Sequence, residues 1–384
     1  MSQYSQRHWR YSLGVIITVA LILTGCGSSQ TVVSPDHSIE ETTLSDEMPA
    51  TPDASQSAST GEVDANISSD NAFGDIYSSF TQEMAQESGI DSAAETSNLP
   101  PIEYLYSISG GNDAIESDVP AWVTGERFLH FIQPSGFDVY NGDLYILDSA
   151  RQAMFRYQPD GEKIITVLDL AVYLRGDADS LVFSDEGYYF ISEPLSSRVL
   201  KFNDQNMLVD VYKDSANLAN PTKLYYDNEQ KKLYVSDGVF GRIMVFSKQG
   251  KPLYALGKRG TAKGEFIRIS DFINHGGNVI VTDSLGKKPM QIISNDGEFI
   301  GAYTRRVLDI PGAIAIDAQE RIYVADHSDD SIRIFLNGEL RWRFGGPGTE
   351  PGKFRVVTQM RVYEDKLYVL DSLNRRIQVF QVNN

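Results

Sequence analysis

Leu367-Tyr368-Val369-Leu370-Asp371, followed after a short turn by Arg376-Ile377-Gln378-Val379-Phe380, is a pattern that this chain repeats. Leu144-Tyr145-Ile146-Leu147-Asp148, Leu233-Tyr234-Val235-Ser236-Asp237 and Ile322-Tyr323-Val324-Ala325-Asp326 repeat its first half, and Arg242-Ile243-Met244-Val245-Phe246 its second. The closing acids Asp148, Glu193, Asp237, Asp283, Asp326 and Asp371 stand 45, 44, 46, 43 and 45 residues apart. Alternating β-branched and aromatic residues bounded by Asn, Asp and Gly specify strands rather than helices. A strand-rich unit recurring every 40 to 50 residues or so specifies a propeller or an array.

Two more strands complete each unit. Ala313-Ile314-Ala315-Ile316 reads as an innermost strand, and Leu253-Tyr254-Ala255-Leu256 and Leu340-Arg341-Trp342-Arg343-Phe344 as outermost ones. Four strands in each of six units make an all-β, six-bladed β-propeller. The sixth unit lacks an outer strand, because little chain follows Phe380. Leu105-Tyr106-Ser107-Ile108-Ser109-Gly110 matches the outer-strand pattern and precedes the first complete blade, so it is expected to close the ring and cover an exposed edge.

The Tyr-Val-x-Asp strand, the Asn374-Arg375-Arg376-Ile377-Gln378-Val379-Phe380 continuation and the Gly348-Thr349-Glu350-Pro351-Gly352-Lys353-Phe354 linker resemble NHL repeats. The resemblance covers residues 102 to 384, with blades two and four degenerate. It implies an NHL-type six-bladed propeller. Propellers of this type include partner-binding platforms, RNA-binding domains and a few enzymes, so function must be read from the site.

At the other end, Arg7 and Arg10 precede an apolar run, Leu13 to Leu23, of secretory-signal length and too short to span a bilayer. Leu23-Thr24-Gly25-Cys26 then resembles a bacterial lipobox. The resemblance implies cleavage after residue 25, lipidation of Cys26, and sorting to the outer membrane because Gly27 rather than Asp follows. Cys26 is the one cysteine of the chain, so no disulfide is expected in the mature protein.

Residues 26 to 100 are expected to form a disordered acidic tether. From residue 27 to 100 the chain carries 14 acidic residues and no Lys or Arg. Such a one-signed, weakly hydrophobic segment cannot bury enough surface to offset its ordering entropy. The formal net charge is −18, but 38 acidic against 32 basic residues remain from 101 onward. This near-neutral balance, together with secretion, argues against nucleic acid as a partner. Within the tether, Phe73, Ile76, Tyr77, Phe80 and Met84 are spaced as on one face of a helix, expected to be transient, the alternative being a segment that docks on the propeller or on a partner.

A repeat protein supplies its own control, since a residue type found at one place in every blade is there for the blade. The strand-ending acids fall in that class, together with a base a few residues later: Arg151, Arg198, Arg242, Lys287, Arg333 and Arg375. Each acid is expected to accept N–H groups of the following turn and to pair with its base. No Gly-x-Ser-x-Gly elbow and no phosphate-binding glycine loop occurs. His37, His130, His275 and His327 fall at different registers, so a histidine zinc site is not expected. Neither catalytic residues nor cofactors are expected. The alternative is a metal-assisted lyase or lactonase at the channel mouth, with Asp179, Asp271 and Asn274 as ligands of a hard cation.

Function is sought where the repeat is broken. Lys258, Arg259, Lys263, Arg268, Lys287, Lys288, Arg305 and Arg306 collect on the loop face of blades three to five, with Val239 and Phe240 as exposed apolar neighbours. Lys258, Arg259, Lys263, Lys287, Lys288, Val239 and Phe240 are the candidate binding residues. An envelope protein or an anionic glycan suits them. The expected protein is an outer-membrane lipoprotein, its propeller in the periplasm or at the cell surface.

Overall fold

A computed structural model describes residues 100–113, 128–158 and 163–383. The signal, Cys26, His37 and the Phe73 to Met84 stretch lie outside them. Among the described residues there is no α-helix, and two three-residue 3-10 turns, Pro194–Ser196 and Ser372–Asn374, interrupt the strands.

Alternation of apolar and polar side chains drives each unit into a four-stranded antiparallel sheet. Blade one runs outward through Pro134–Tyr140, Asp143–Asp148, Ala153–Gln158 and Lys163–Asp169. Blade two uses Leu181–Phe183, Tyr189–Glu193, Arg198–Phe202 and Leu208–Tyr212, and blade three Pro221–Asp227, Lys232–Asp237, Arg242–Ser247 and Pro252–Leu256. Blade four comprises Ile269–His275, Asn278–Asp283, Met290–Ser294 and Phe299–Tyr303. Blade five comprises Pro311–Ile316, Ile322–Asp326, Ser331–Leu336 and Glu339–Gly345. Blade six has Val357–Tyr363, Lys366–Asp371 and Arg376–Val382, and takes its outer strand, Ile102–Ile108, from the beginning of the described chain.

The closing pair runs antiparallel, from Ile102 opposite Val382 to Ile108 opposite Ile377. The closing strand therefore starts three residues earlier than its sequence pattern suggests. Gly110 belongs instead to the next strand, Gly110–Asp113, which pairs in parallel with Lys163–Asp169 and antiparallel with Phe128–His130. Blade one thus carries six strands, two of them too short to alternate visibly in sequence.

The apolar core is divided into six clusters, one at each blade interface. Ile108, Ile377 and Val379 pack with Phe137, Ile146 and Phe155 where blade six meets blade one, so the ring is closed by side chains as well as by backbone. Tyr323, Ile334, Leu367 and Phe380 fill the adjoining interface of blades five and six. Polar stitches run between blades too. The Gln359 amide accepts from Phe137 N–H at 3.0 Å and donates to the Phe137 carbonyl at 2.7 Å. The Thr282 hydroxyl donates to the Gly312 carbonyl at 2.7 Å.

Linkers between blades are folded by a repeated device. Gly257 and Gly345 adopt positive φ angles of 73° and 95°, and a Cβ on either would lie 2.5 to 2.6 Å from the fully buried ring of Phe266 or Phe354. Only glycine meets both demands at these positions. Gln291 and Gln378 then hold the returning chain, accepting from Gly264 N–H at 3.0 Å and Gly352 N–H at 2.9 Å.

Candidate binding face and channel

All six strand-ending acids are fully buried, and each draws backbone N–H groups onto its carboxylate. Asp237 accepts from Val239 at 2.8 Å and Phe240 at 3.0 Å in the following turn, as the sequence suggests. It also accepts from Ala219 at 2.7 Å in the linker entering its own blade. Asp148 does the same with Ile132 at 2.7 Å and Gln133 at 3.1 Å, and Asp283 with Ile267 at 2.7 Å and Arg268 at 2.9 Å. Asp148, Asp237, Asp283 and Asp326 therefore each pin two loops through N–H groups, the one after the strand and the one arriving from the previous blade, whereas Glu193 takes N–H groups from the arriving linker and Asp371 takes the Arg355 N–H from that side and the Asn374 side chain from its own turn.

The expected acid–base pairing holds in part. Arg198 pairs with Glu193, Arg333 with Asp326, and in blade six Arg376 with Asp371 at 2.8 Å. Arg375 is not the partner: it sits at φ 54° at the end of the 3-10 turn, while Arg376 opens the next strand and faces the acid. Arg151 and Arg242 turn instead to the linker carbonyls of His130 and Asn217, at 2.7 and 2.6 Å. Lys287 of blade four is exposed. Spacing alone does not select the partner: Glu193 to Arg198 and Asp371 to Arg376 are five residues apart, but so are Asp237 and Arg242, and the Asp326–Arg333 pair is seven apart.

Second-to-third-strand loops and inter-blade linkers share one face of the ring, and the candidate binding residues lie there. The Arg259 guanidinium donates to the Val239 carbonyl at 3.1 Å, and the Lys288 ammonium to the Thr261 carbonyl at 3.2 Å. Lys258 pairs with Glu265 at 3.3 Å while remaining largely exposed. The Lys263 ammonium stands 5.2 Å from the centre of the Phe299 ring. Val239 and Phe240 are exposed, and the Arg242 guanidinium lies over the Phe240 ring at 4.6 Å. Of the basic candidates, Arg259 and Lys288 also hold loops in shape, whereas Lys258, Lys263, Lys287 and Arg268 face solvent.

The innermost strands enclose a cavity of about 140 Å³, lined by Lys223, Tyr225, Asp271, Asn274, Gln359 and Arg361 among others. Asp271 is buried there, accepting from Ile314 N–H of the next blade at 3.2 Å. Burial pushes its carboxyl up to about 6, against the opposing pull of Lys223 and of two backbone N–H groups. Asp138 is raised by the same burial, opposed first by Arg361, whose Nε lies 3.0 Å from its Oδ1. Sequence reasoning passed over Asp138 and Arg361, because each is an isolated charge in an alternating strand and only ring closure brings blades six and one together.

The residues weighed for a cation behave differently in the fold. Asp179 meets Lys223 at 3.5 Å, and Asn274 approaches Asp227 at 3.4 Å. His275 bonds Glu320 at 3.0 Å, His327 meets the Val357 carbonyl at 2.8 Å, and His130 ends an outer strand of blade one. Among the described residues no three His, Cys, Asp or Glu side chains converge on a metal-sized point.

The raised Asp271 makes a testable link between channel and stability. With a folded value above that of the unfolded chain, the ionised carboxylate costs stability above pH 6 and the cost disappears as pH falls toward about 4. Asp271→Asn is therefore expected to melt higher than the wild type at pH 7.5 and alike at pH 4, in thermal denaturation followed by circular dichroism.

Comparison with known proteins agrees on architecture. The family DUF5128, described as a six-bladed β-propeller, matches residues 211–306. The fold is a six-bladed β-propeller. The protein brain tumor of Drosophila melanogaster is 26% identical over 122 residues, 31% of this chain and 12% of that much longer protein. A streptogramin B lyase structure superposes with a TM-score of 0.53 at 10% identity, covering 72% of this chain and 98% of the other. Virginiamycin B lyase from Staphylococcus aureus gives 0.47 at 11% identity, over 65% and 94% of the two chains. At these identities the two structures are alike in fold alone.

Proposed function

We propose that this chain is a lipoprotein of the bacterial outer membrane, anchored through lipidated Cys26, whose propeller is a binding platform for an anionic partner in the envelope. An acidic envelope protein or an anionic glycan fits that description. The observation that carries the reading is the loop face of blades three to five. There Lys258, Lys263, Arg268 and Lys287 stand in solvent beside exposed Val239 and Phe240, whereas the strand-ending acids Asp237, Asp283 and Asp326 are buried and taken up by backbone N–H groups. As a flexible linker, the 74 residues from 27 to 100 would span roughly 45 Å root-mean-square and would let the platform search around its anchor.

A metal-assisted lyase or lactonase at the channel is the weaker reading. Asp179 and Asp271 share their surroundings with the Lys223 ammonium, which opposes a second cation.

Two measurements test the proposal. Mass spectrometry of protein from membranes should find acylated Cys26 as the mature amino terminus, and Cys26→Ser should abolish acylation and mislocalise the protein; an unmodified terminus elsewhere ends the lipoprotein reading. Joint replacement of Lys258, Lys263, Arg268 and Lys287 by Gln should leave the melting temperature unchanged, since exposed substitutions stay within about 0.5 kcal/mol each. The same variant should lose binding to poly-L-glutamate or dextran sulfate, and wild-type binding should weaken with salt. Polyanion binding that survives the four substitutions removes this face from consideration.

A further inference from the structure

We propose that the loop face docks flat on an anionic phospholipid surface, its apolar loop tips entering the headgroup region. This rests on the reading that the face takes an anionic partner, and commits that partner to a lipid leaflet. The tips occupy one repeat position, two residues after the strand-ending acid: Leu195, Val239, Leu285 and Leu373, which are 79%, 50%, 59% and 59% exposed. Equivalent positions in blades related by rotation about the ring axis lie at one height, so four tips from blades two, three, four and six define a plane. The inter-blade linkers add Val172, at 76% exposure, on the same side.

The tips are held rather than loose. The N–H groups of Val239 and Leu285 donate to the buried carboxylates of Asp237 and Asp283, at 2.8 and 3.2 Å. Leu195 and Leu373 each sit in a 3-10 turn that begins beside the buried Glu193 or Asp371. Exposed Arg175, Lys258, Arg268, Lys287, Arg306 and Arg375 share these loops and linkers, with Asp169, Asp177, Asp309 and Glu350 as their exposed acids. On the opposite face the first hairpin turns carry Asp143, Asp185, Glu186, Glu320, Glu364 and Asp365, and the exposed apolar side chains Met207, Leu208, Val209, Leu253 and Leu340 lie at or beside the start of the outer strands of blades two, three and five rather than at one position repeated around the ring.

Geometry favours a leaflet over a peptide or a glycan. An extended peptide is recognised through a groove and free backbone groups, whereas here the tips are spread around the ring and the loop N–H groups are taken up by the acids. A plane of separated apolar side chains with cations between them matches a lipid–water interface, where apolar groups enter the acyl boundary and basic groups meet anionic headgroups. The chain enters the propeller on the opposite side, since Ile102–Ile108 runs toward the loop face. A tether of the proposed length lets the ring turn over.

The test uses the chain from residue 27 onward, which keeps every described residue and removes the anchor, and sedimentation with vesicles of phosphatidylcholine, alone or mixed with phosphatidylglycerol. Binding is expected to the mixed vesicles and not to phosphatidylcholine alone. Joint Leu195→Ser, Leu285→Ser and Leu373→Ser should lower the partition coefficient by about tenfold or more, with an unchanged melting temperature. In an independent variant, Leu373→Trp fluorescence should be quenched by brominated acyl chains. Absence of vesicle binding, binding that ignores the three serines, or an unquenched Trp on bound vesicles overturns the inference. Binding of poly-L-glutamate or dextran sulfate without vesicles overturns it while sparing the platform; binding of none of these probes removes both.

Discussion

Removal of residues 27–110 is expected to unfold the propeller or leave it aggregated, whereas removal of residues 27–99 should leave its melting temperature nearly unchanged. The longer deletion takes away Ile102–Ile108, which pairs along its length with Arg376–Val382. Ile108 is buried among Ile377 and Val379, and Tyr104 packs its ring on the edge of Phe380 at 5.8 Å between centres. Full burial of one large apolar side chain is worth about 1.5 to 3 kcal/mol. The buried Ile108, the partly buried Ile102, Tyr104 and Tyr106, and the ladder hydrogen bonds together sum to about 5 kcal/mol or more, comparable to the whole stability of many domains. Losing the strand also leaves blade six with a bare edge, a template for intermolecular pairing. Size-exclusion chromatography and thermal melting of the two truncated chains check this. Equal melting temperatures would show that the ring is not closed by this strand.

Asp326→Ala is expected to cost about 3 to 5 kcal/mol, more than Asp148→Ala. Asp326 is fully buried, pairs with the largely buried Arg333, and accepts from Ile310 N–H at 3.1 Å, Asp309 N–H at 2.6 Å and the Ser328 hydroxyl at 2.6 Å. Removing one partner of a buried pair strands the other charge, and each orphaned N–H adds its own desolvation penalty. Asp148 has N–H partners but no such pair, because Arg151 is engaged with the His130 carbonyl. The two acids therefore separate the loop-pinning contribution from the ionic one. Urea midpoints of the two variants check the order, and equal losses would show that the ion pair adds nothing.

The same carboxylates set the acid limit of the fold. Burial alone would raise Asp326, but the Ser328 hydroxyl and the N–H groups of Asp309, Ser328 and Ile310 hold it below the usual carboxylate range. Glu193 is also held down: burial opposes, and Arg198 and the Arg175 N–H prevail. A depressed folded value gives stability that is present above the unfolded value of about 4 and is lost as pH falls through the folded one. Asp271 acts in the opposite sense between pH 6 and about 4. Stability should therefore peak in mildly acidic solution rather than at neutrality.

Composition and spacing carried the architecture. The step of 43 to 46 residues between acids, the alternation in strands such as Leu367 to Asp371, and the stray outer-strand pattern near residue 105 together specify six blades and a closure between termini. Those features are legible because a strand's face is set by its own neighbours at a period of two, and a repeat is set by counting. The structural role of the six acids was legible for a related reason, since a residue present in every blade cannot serve one site.

Tertiary structure decided the partners. Sequence placed N–H donors for each acid in the following turn; the fold added donors in the linker about sixteen residues upstream, as from Ile132 and Gln133 to Asp148. It chose Arg376 over Arg375 because the left-handed backbone at Arg375 hands the acid-facing position to the next residue. It set Arg361 of blade six against Asp138 of blade one, 223 residues apart in the chain, through a ring that closes only when both termini are in place. It also left Leu195, Val239, Leu285 and Leu373, which share one repeat position two residues after the acid, exposed on the loop face. Periodicity reports which way a side chain faces within its own strand; what it faces depends on how six sheets pack around an axis, a long-range balance of burial that no local pattern records.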